Sequence, residues 1–232
     1  DSNERGGAAA VVSVGSGEVL ALASYPSYDL STFNEDYETL VADERLPMFN
    51  RATQGVYAPG STFKMCTAVA ALESGIITPS SIIQDRGIYT YYTHPQPMCW
   101  VYQQGGATHG RINVSQAITV SCNYFFYEVG RLTGIRTLDS YASQFGLGSS
   151  TGIEIGDSSG VLASPEWAEA HDREWTDGQT ITAAIGQSYN LFTPLQLANY
   201  IATLVSGGEH YEAHLLKTVK SYDNSRIIDV YN

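Results

Sequence analysis

Residues 50–75 read N-R-A-T-Q-G-V-Y-A-P-G-S-T-F-K-M-C-T-A-V-A-A-L-E-S-G. Pro59 and Gly60 interrupt whatever element precedes them, good helix formers follow, and Gly75 is a natural residue for a helix end. The pattern predicts a helix over residues 61–74 that begins at Ser61. Residues three positions apart lie on one helix face, so the Ser61 hydroxyl and the Lys64 amine can come within hydrogen-bonding reach.

The predicted helix is apolar on nearly every side after Lys64. An ammonium at the head of such a helix loses solvation, which lowers the pKa of a lysine toward the range where the amine accepts a proton. The first N–H groups of a helix have no partner, so the Ser61 N–H can help to hold a developing oxyanion. S-x-x-K is a short pattern, however, and a purely structural role for both residues is the alternative until a second motif supports it.

Composition sets the class of protein. The 232 residues, 43% of them hydrophobic and 11% aromatic, can build the core of one large domain or two small ones. A net charge of −12 without a cluster of Lys or Arg argues against a nucleic-acid partner. No apolar run reaches the roughly 18 residues of a membrane span, and the first residues, D-S-N-E-R-G-G, do not resemble a signal peptide.

The three cysteines are Cys66, Cys99 and Cys122. An odd count without metal-ligand spacing allows at most one disulfide and does not favour a zinc site. Met98-Cys99-Trp100 has a faint likeness to the nucleophile segment of cysteine proteases, but Cys99 stands in no helix-start context and the rest of that signature is absent. We therefore expect no metal in this chain.

The sequence before residue 50 predicts strands near the N-terminus. Ala8–Ser24 contains two β-favouring runs around Gly-Ser-Gly, which is a hairpin signal, and Leu20 stands where a nucleotide-binding fingerprint would need its third glycine. Residues 25–59 read as loop with a short helix near Asp36–Val41. A long irregular segment before Ser61 is suited to form the wall of an active site.

Residues 76–206 read as a mostly helical region. A short helix is predicted over Asn113–Val120 and an aromatic helix over Tyr124–Gly134, so S-C-N at Ser121–Asn123 falls at a junction, where Ser121 can serve as an N-cap. Capping alone is the structural alternative. The functional interpretation is that Ser121 offers a hydroxyl and Asn123 an amide to the same cleft as Ser61.

Further signals delimit the remaining elements. A short helix is predicted over Leu138–Phe145, and Ser164-Pro165 predicts another with proline in its first turn. Thr193-Pro194-Leu195-Gln196 is a capping box at the start of a longer helix that Gly207-Gly208 ends. Residues 212–231 read as two strands about Asp223-Asn224-Ser225.

Three separated blocks resemble the transpeptidase domain of class B penicillin-binding proteins, of the elongation or sporulation type. They are N-R-A-T-Q-G-V-Y-A-P-G-S-T-F-K at Asn50–Lys64, S-C-N at Ser121–Asn123 and I-G-Q-S-Y-N-L-F-T-P-L-Q-L-A at Ile185–Ala198, in the family's order. The resemblance implies an α/β (α+β) fold, namely the fold shared by penicillin-binding transpeptidases and serine β-lactamases. That fold has an antiparallel sheet with a mostly helical subdomain, here over a single domain at residues 1–232.

The resemblance also implies a role for each matching residue. Ser61 would be the acyl-forming nucleophile, Lys64 its base, Ser121 a proton relay and Asn123 a polar contact to substrate or to Lys64. The implied substrate is the D-Ala-D-Ala end of a peptidoglycan stem peptide, β-lactams would acylate the same serine, and no metal or organic cofactor is implied. The parent protein is expected at the extracytoplasmic face of the bacterial membrane, anchored by a segment outside this sequence and serving a membrane glycosyltransferase.

One block of the family is missing from the sequence. Lys217-Thr218-Val219 resembles K-T/S-G only superficially, because Val219 has a side chain where the motif needs the close backbone approach of glycine. We therefore expect a chain truncated before that motif, incomplete at its C-terminus and slow to acylate.

Two other functions are open at this point. A serine β-lactamase needs a way to hydrolyse the acyl-enzyme, but Glu166 is followed by Trp-Ala-Glu and not by the x-x-L-N of that class. A non-catalytic β-lactam sensor or scaffold would keep acylation and lose turnover. The lifetime of a penicillin adduct distinguishes the β-lactamase from the other two.

Overall fold

The computed structural model describes residues 6–94 and 96–230, which fall into two compact units. Unit 1 comprises residues 6–57, 145–160 and 192–230, and unit 2 comprises residues 58–94, 96–144 and 161–191. The description of residues 1–232 as a single domain stays a prediction.

Unit 1 is built on an antiparallel hairpin. Strands β1 (Gly7–Val12) and β2 (Val19–Tyr25) pair where the sequence predicts a hairpin, with a register shift between Val11 and Val12. Helix α9 (Pro194–Val205) packs against β1, and a small core forms there from Ala10, Val12, Val19, Leu22, Ile153, Leu195 and Ala213. Helix α1 (Phe33–Ala42) is longer than predicted and has no buried residue.

Two sequence signals of unit 1 have the predicted structure. The capping box of α9 is present, since the Gln196 N–H donates to Thr193 Oγ1 over 3.0 Å and the Thr193 N–H donates to Gln196 Oε1 over 2.8 Å. Strands β5 (Thr218–Lys220) and β6 (Ile227–Val230) pair antiparallel, and Tyr231, with which the predicted strands end, lies outside the described residues.

Unit 2 is a helical bundle around α5 (Asn123–Thr133). Helices α2 (Lys64–Glu73), α6 (Ile135–Gln144) and α8 (Asp177–Ala183) pack against α5. Gly130 lets α5 approach Ala184, the residue after α8, closely, because a Cβ at position 130 would overlap the Cβ of Ala184. The buried apolar cluster of the bundle contains Ala68, Ala71, Ile77, Tyr89, Cys99, Ile112, Val114, Ala117, Cys122, Phe125, Phe126, Tyr127, Val129, Ile181 and Ile185.

The smaller elements of unit 2 include two strands and one helix that the sequence did not predict. Strands β3 (Ile83–Gln84) and β4 (Arg111–Ile112) pair antiparallel, and α4 (Val114–Thr119) and α7 (Pro165–Ala170) lie where short helices are predicted. Helix α3 (Trp100–Gly105) follows Cys99 directly, and Cys99 is its N-cap residue. Cys99 therefore does stand at a helix start, and the prediction that it does not is wrong.

The fold class is α+β, as predicted. The described residues combine helices with three two-stranded antiparallel sheets, β1–β2, β3–β4 and β5–β6. Within the described part of the chain, none of the helices combines the length and the hydropathy that a membrane span requires.

Candidate active site

Ser61 lies in a tight 3-10 turn, Gly60–Phe63, that leads directly into α2. The α-helix therefore begins at Lys64, and the predicted start at Ser61 is wrong by one turn. Two contacts fix the tighter turn: the Gly60 N–H donates to the Gly186 carbonyl over 2.8 Å, and Thr62 Oγ1 donates to the Pro59 carbonyl over 2.8 Å. The turn leaves Ser61 and Thr62 exposed, whereas Phe63 and Lys64 are buried.

Lys64 is a buried amine with three hydrogen-bond acceptors. Lys64 is only 2% exposed. Its Nζ donates to the Ser121 carbonyl over 2.8 Å, to Ser121 Oγ over 2.9 Å and to Asn123 Oδ1 over 2.6 Å. Nζ also lies 5.8 Å from the centre of the Phe126 ring. Burial disfavours the charged form and lowers the pKa of Lys64 to about 8, as the apolar helix predicts.

The bend between α4 and α5 presents Ser121 and Asn123 to this amine. Ser121 has a φ of 51°, in the left-handed region, and the Ser121 and Cys122 N–H groups donate to carbonyls of α4. The N-cap of α5 is Cys122, whose Sγ accepts from the Phe125 N–H over 3.4 Å, so the predicted N-cap role of Ser121 is wrong. The Ser121 hydroxyl contacts Lys64 and Ser61 instead of capping.

Ser121 also connects the nucleophile to the base. Its hydroxyl donates to Ser61 Oγ over 3.0 Å, and among the described residues no direct hydrogen bond joins Ser61 to Lys64. Each hydroxyl can donate or accept after a rotation, so a proton can pass from Ser61 through Ser121 to a neutral Lys64. The structure thus brings all four predicted residues together within unit 2, and their catalytic roles stay a proposal.

Sequence reasoning missed a glycine that holds the nucleophile turn. Gly186 has a φ of 74° and accepts a hydrogen bond from the Gly60 N–H. A Cβ at Gly186 would overlap the Gly60 carbonyl, so only glycine fits against this turn. Gly186 lies in the block at Ile185–Ala198 that carries the family resemblance, but nothing in the sequence indicated which residue this glycine contacts.

Four potential metal ligands also meet beside the bend. Asp85, Cys99, His109 and Cys122 each offer one ligand atom, and these atoms all lie within 4.8 Å of one another. Two thiols, an imidazole and a carboxylate are donors that zinc binds, and four of them suit its tetrahedral geometry. The spacing argument against zinc does not hold, because each donor comes from a different segment and leaves no short motif in the sequence.

The family follows from a comparison of the whole chain. The family model of the penicillin binding protein transpeptidase domain matches residues 7–230. The chain belongs to this transpeptidase family. The predicted family and the predicted penicillin-binding fold are thereby confirmed.

The curated relatives that this chain matches are longer than the chain. Peptidoglycan D,D-transpeptidase MrdA of Salmonella typhimurium is 37% identical over 212 residues, which are 88% of this chain and 34% of that protein. The chain therefore spans about a third of the length of the curated relatives that it matches.

Solved structures of transpeptidases have the same fold. PBP2 of Pseudomonas aeruginosa, in complex with WCK 5153, superposes with a TM-score of 0.84 at 31% identity, covering 100% of this chain and 53% of that one. Penicillin-binding protein A of M. tuberculosis, as its penicillin G acyl-enzyme complex, gives a TM-score of 0.81 at 27% identity, covering 97% and 51%.

Proposed function

We propose that this chain carries the active site of a serine-type peptidoglycan D,D-transpeptidase, which cross-links stem peptides through an acyl-enzyme on Ser61. The observation that carries the proposal is the hydrogen-bonded series from Ser61 through Ser121 to a buried Lys64. The relative in Salmonella typhimurium is named for this activity, as peptidoglycan D,D-transpeptidase MrdA.

Burial of Lys64 makes it a usable base near neutral pH. With a pKa of about 8, about one amine in ten is neutral at pH 7, against about one in three thousand at the ordinary value of 10.5. Loss of one proton leaves Nζ with two N–H groups and a lone pair. The N–H groups keep the contacts to the Ser121 carbonyl and to Asn123, and the lone pair accepts from the Ser121 hydroxyl.

The acylation step uses this arrangement. As Ser61 Oγ attacks the carbonyl between the two terminal D-alanines, its proton passes to Ser121 Oγ and the Ser121 proton passes to Lys64. When the tetrahedral intermediate collapses, the C–N bond breaks and the same two residues return a proton to the amine of the leaving D-alanine. The Ser61 N–H, at the start of the turn, can donate to the oxyanion.

The second step reverses the first with a different amine. The side-chain amine of another stem peptide attacks the Ser61 ester, gives its proton to the Ser121 and Lys64 pair, and forms the cross-link. The Ser61 hydroxyl is restored when that proton returns to Oγ. A β-lactam would follow the first step only, because the amine that it releases stays tethered to the acyl group.

Penicillin labelling and peptide cross-linking test the proposal. We expect the full-length gene product to form a long-lived penicillin G adduct on the tryptic peptide that contains Ser61, absent from S61A and present in S140A, which changes an exposed serine of α6. With a stem peptide ending in D-Ala-D-Ala and an amine acceptor, mass spectrometry should find the cross-linked product.

The same measurements separate the alternatives. Rapid loss of the adduct with release of penicilloate would indicate a serine β-lactamase, and a stable adduct without cross-linking would indicate a sensor or scaffold. No adduct on Ser61 would overturn the assignment of the nucleophile. The extracytoplasmic location and the partner glycosyltransferase stay predictions from the resemblance.

A further inference from the structure

A cleft in unit 2 lies against the start of α5. Its volume is about 410 Å³, within the range of roughly 300 to 1,000 Å³ that is usual for ligand sites. The residues that line it include Ile83, Arg86, Tyr89, Tyr91, Tyr124 and Glu128, and we call it the tyrosine cleft. None of these residues belongs to the candidate active site, so the mechanism above leaves the tyrosine cleft without a role.

The base of the tyrosine cleft is held by a network of hydrogen bonds. Tyr89 is only 2% exposed, and its hydroxyl donates to Glu128 Oε2 over 2.5 Å. Arg131 donates to the same carboxylate twice, from Nη2 to Oε1 over 2.7 Å and from Nε to Oε2 over 3.0 Å. The Arg131 guanidinium also lies over the Tyr91 ring, 3.9 Å from its centre. Because Arg131 neutralises Glu128, this carboxylate does not make the cleft a site for a cation.

Arg86 gives the tyrosine cleft its charge. Arg86 is exposed, and none of the ion pairs within the described residues includes it. Burial raises the pKa of Tyr124, and the nearby Arg86 charge opposes this rise. A guanidinium can bind a carboxylate through two parallel hydrogen bonds. The cleft therefore favours a ligand that combines a carboxylate with apolar groups, which pack on the tyrosine rings.

The chain on both sides of Arg86 is anchored. Asp85 is only 1% exposed, and its N–H donates to the Gly110 carbonyl over 2.8 Å. The Gly87 N–H donates to Asp85 Oδ1 over 2.8 Å, and a Cβ at Gly87 would overlap the Tyr102 ring. The Arg86 side chain therefore extends from a segment whose backbone is already fixed before a ligand binds.

The tyrosine cleft adjoins the bend that takes up protons in the proposed mechanism. Tyr124 follows Asn123, which accepts a hydrogen bond from Lys64 Nζ. Glu128 lies about 6 Å farther along α5 than Tyr124, four residues at about 1.5 Å each, and about two residues of extended peptide cover this distance. In the second step the attacking amine gives its proton to Ser121 and Lys64. The peptide that carries this amine must therefore approach beside the bend.

We propose that the tyrosine cleft binds the acceptor stem peptide, whose side-chain amine attacks the Ser61 ester, through a carboxylate paired with Arg86. The assignment to the acceptor rests on the proposed function, whereas the carboxylate site itself does not. A stem peptide suits the cleft because it combines carboxylates with methyl and methylene groups. Arg86 is then a binding residue for the acceptor and takes no part in proton transfer.

Direct binding of a peptide is the first test. The probe is a synthetic stem tripeptide that ends in a diamino acid and lacks D-Ala-D-Ala, titrated by calorimetry into the full-length gene product. R86A should weaken binding about tenfold or more, because hydrogen bonds between two charged groups are lost, and R86K should weaken it less. R173A, which removes an exposed arginine of the same unit, should bind like the wild type. Thermal unfolding checks that the variants are folded.

A double-mutant cycle identifies the group that Arg86 binds. The tripeptide with its carboxylates converted to carboxamides should bind the wild type about as weakly as the free acid binds R86A, and R86A should not distinguish the two peptides. If amidation weakens binding to R86A as much as binding to the wild type, the carboxylate binds elsewhere and the proposal is wrong. Equal affinity of the wild type and R86A for the free acid would also overturn it.

Photo-cross-linking locates the bound peptide. A tripeptide with a diazirine at its N-terminus should label residues 82–91, as found by mass spectrometry of a digest. An excess of the plain tripeptide should suppress this labelling. Labelling confined to other segments would contradict binding in the tyrosine cleft.

The penicillin G adduct distinguishes the acceptor from the donor peptide. The adduct fills the donor position on Ser61, so the tripeptide should bind the adduct as tightly as the free protein and with the same dependence on Arg86. Loss of binding in the adduct would overturn the assignment to the acceptor. Arg86-dependent binding by a protein that forms no adduct on Ser61 would refute the proposed function and leave the carboxylate site. An adduct on Ser61 together with binding that ignores Arg86 would refute the carboxylate site alone.

Discussion

Lys64 Nζ donates to Asn123 Oδ1 over 2.6 Å, the shortest of the three hydrogen bonds that hold this amine. The acceptor is a neutral amide and not a carboxylate, so the contact orients the amine without adding a full negative charge beside it. Burial therefore determines the direction in which the pKa of Lys64 moves. Orientation and a lowered pKa together make the amine a base in a fixed position.

The pH dependence of acylation should follow Lys64. Its pKa is lowered to about 8, and the neutral amine is the reactive form, so the rate should rise about tenfold per pH unit below about pH 8 and level off above it. The measurement is the second-order rate of penicillin acylation between pH 6 and 10. A rate independent of pH over this range would exclude Lys64 as the base.

Replacing Asn123 by Asp should shift the pH profile of acylation to higher pH. A carboxylate 2.6 Å from Nζ stabilises the ammonium and raises the pKa of Lys64, by about one to three units for a close opposite charge. The acylation rate at pH 7 should fall at least about tenfold, with recovery at high pH. N113D, which keeps a capping side chain at the start of α4, is the matched control and should keep the wild-type profile. A profile for N123D identical to the wild type would show that this contact does not act on the amine.

Ser121→Ala should remove the proton path without removing the nucleophile. The direct partner of Ser61 in the described structure is Ser121 Oγ, and loss of a positioned proton-transfer group costs about 10²- to 10⁴-fold in rate. S115A, in the preceding helix, changes an exposed serine and should acylate normally. Thermal unfolding of both variants checks that the bend is intact. S121A with wild-type acylation would mean that Ser61 reaches Lys64 by another route.

The elements that the sequence predicted well are those specified by neighbouring residues. The capping box at Thr193 and Gln196 and the proline of α7 act within one helical turn, so their effect can be inferred from a few letters. Ser61, Lys64, Ser121 and Asn123 were found for a related reason, because their spacing and helix context are local. The three-residue spacing placed Ser61 beside Lys64, whereas the roles proposed for all four residues came from the family resemblance.

The features that the sequence did not predict depend on distant segments. The 3-10 turn at Ser61 forms because the Gly60 N–H pairs with Gly186, and no local rule connects these positions. Asp85, Cys99, His109 and Cys122 come together only because α3 and the β3–β4 pair pack beside α5. Cys122 replaced Ser121 as the N-cap because the serine hydroxyl is engaged with Lys64 and Ser61.

Gly186→Ala should damage both stability and acylation. Gly186 and Gly156 have nearly the same backbone conformation, with φ of 74° and 77°, but a Cβ at Gly186 would overlap the Gly60 carbonyl while a Cβ at Gly156 meets no atom within 4 Å. G156A should therefore lower the free energy of unfolding by only about 1 to 2 kcal/mol, which is the cost of a side chain in the left-handed region. G186A should lose more, because a backbone oxygen of the nucleophile turn must move.

The comparison of the two glycine variants separates strain from contact. Urea unfolding gives the difference in stability, and penicillin acylation under conditions where both variants are folded gives the difference at Ser61. We expect G156A to acylate like the wild type and G186A to acylate at least about tenfold more slowly, since the turn that aims Ser61 is displaced. Equal acylation by the two folded variants would show that the Gly60 to Gly186 contact supports the fold without positioning the nucleophile.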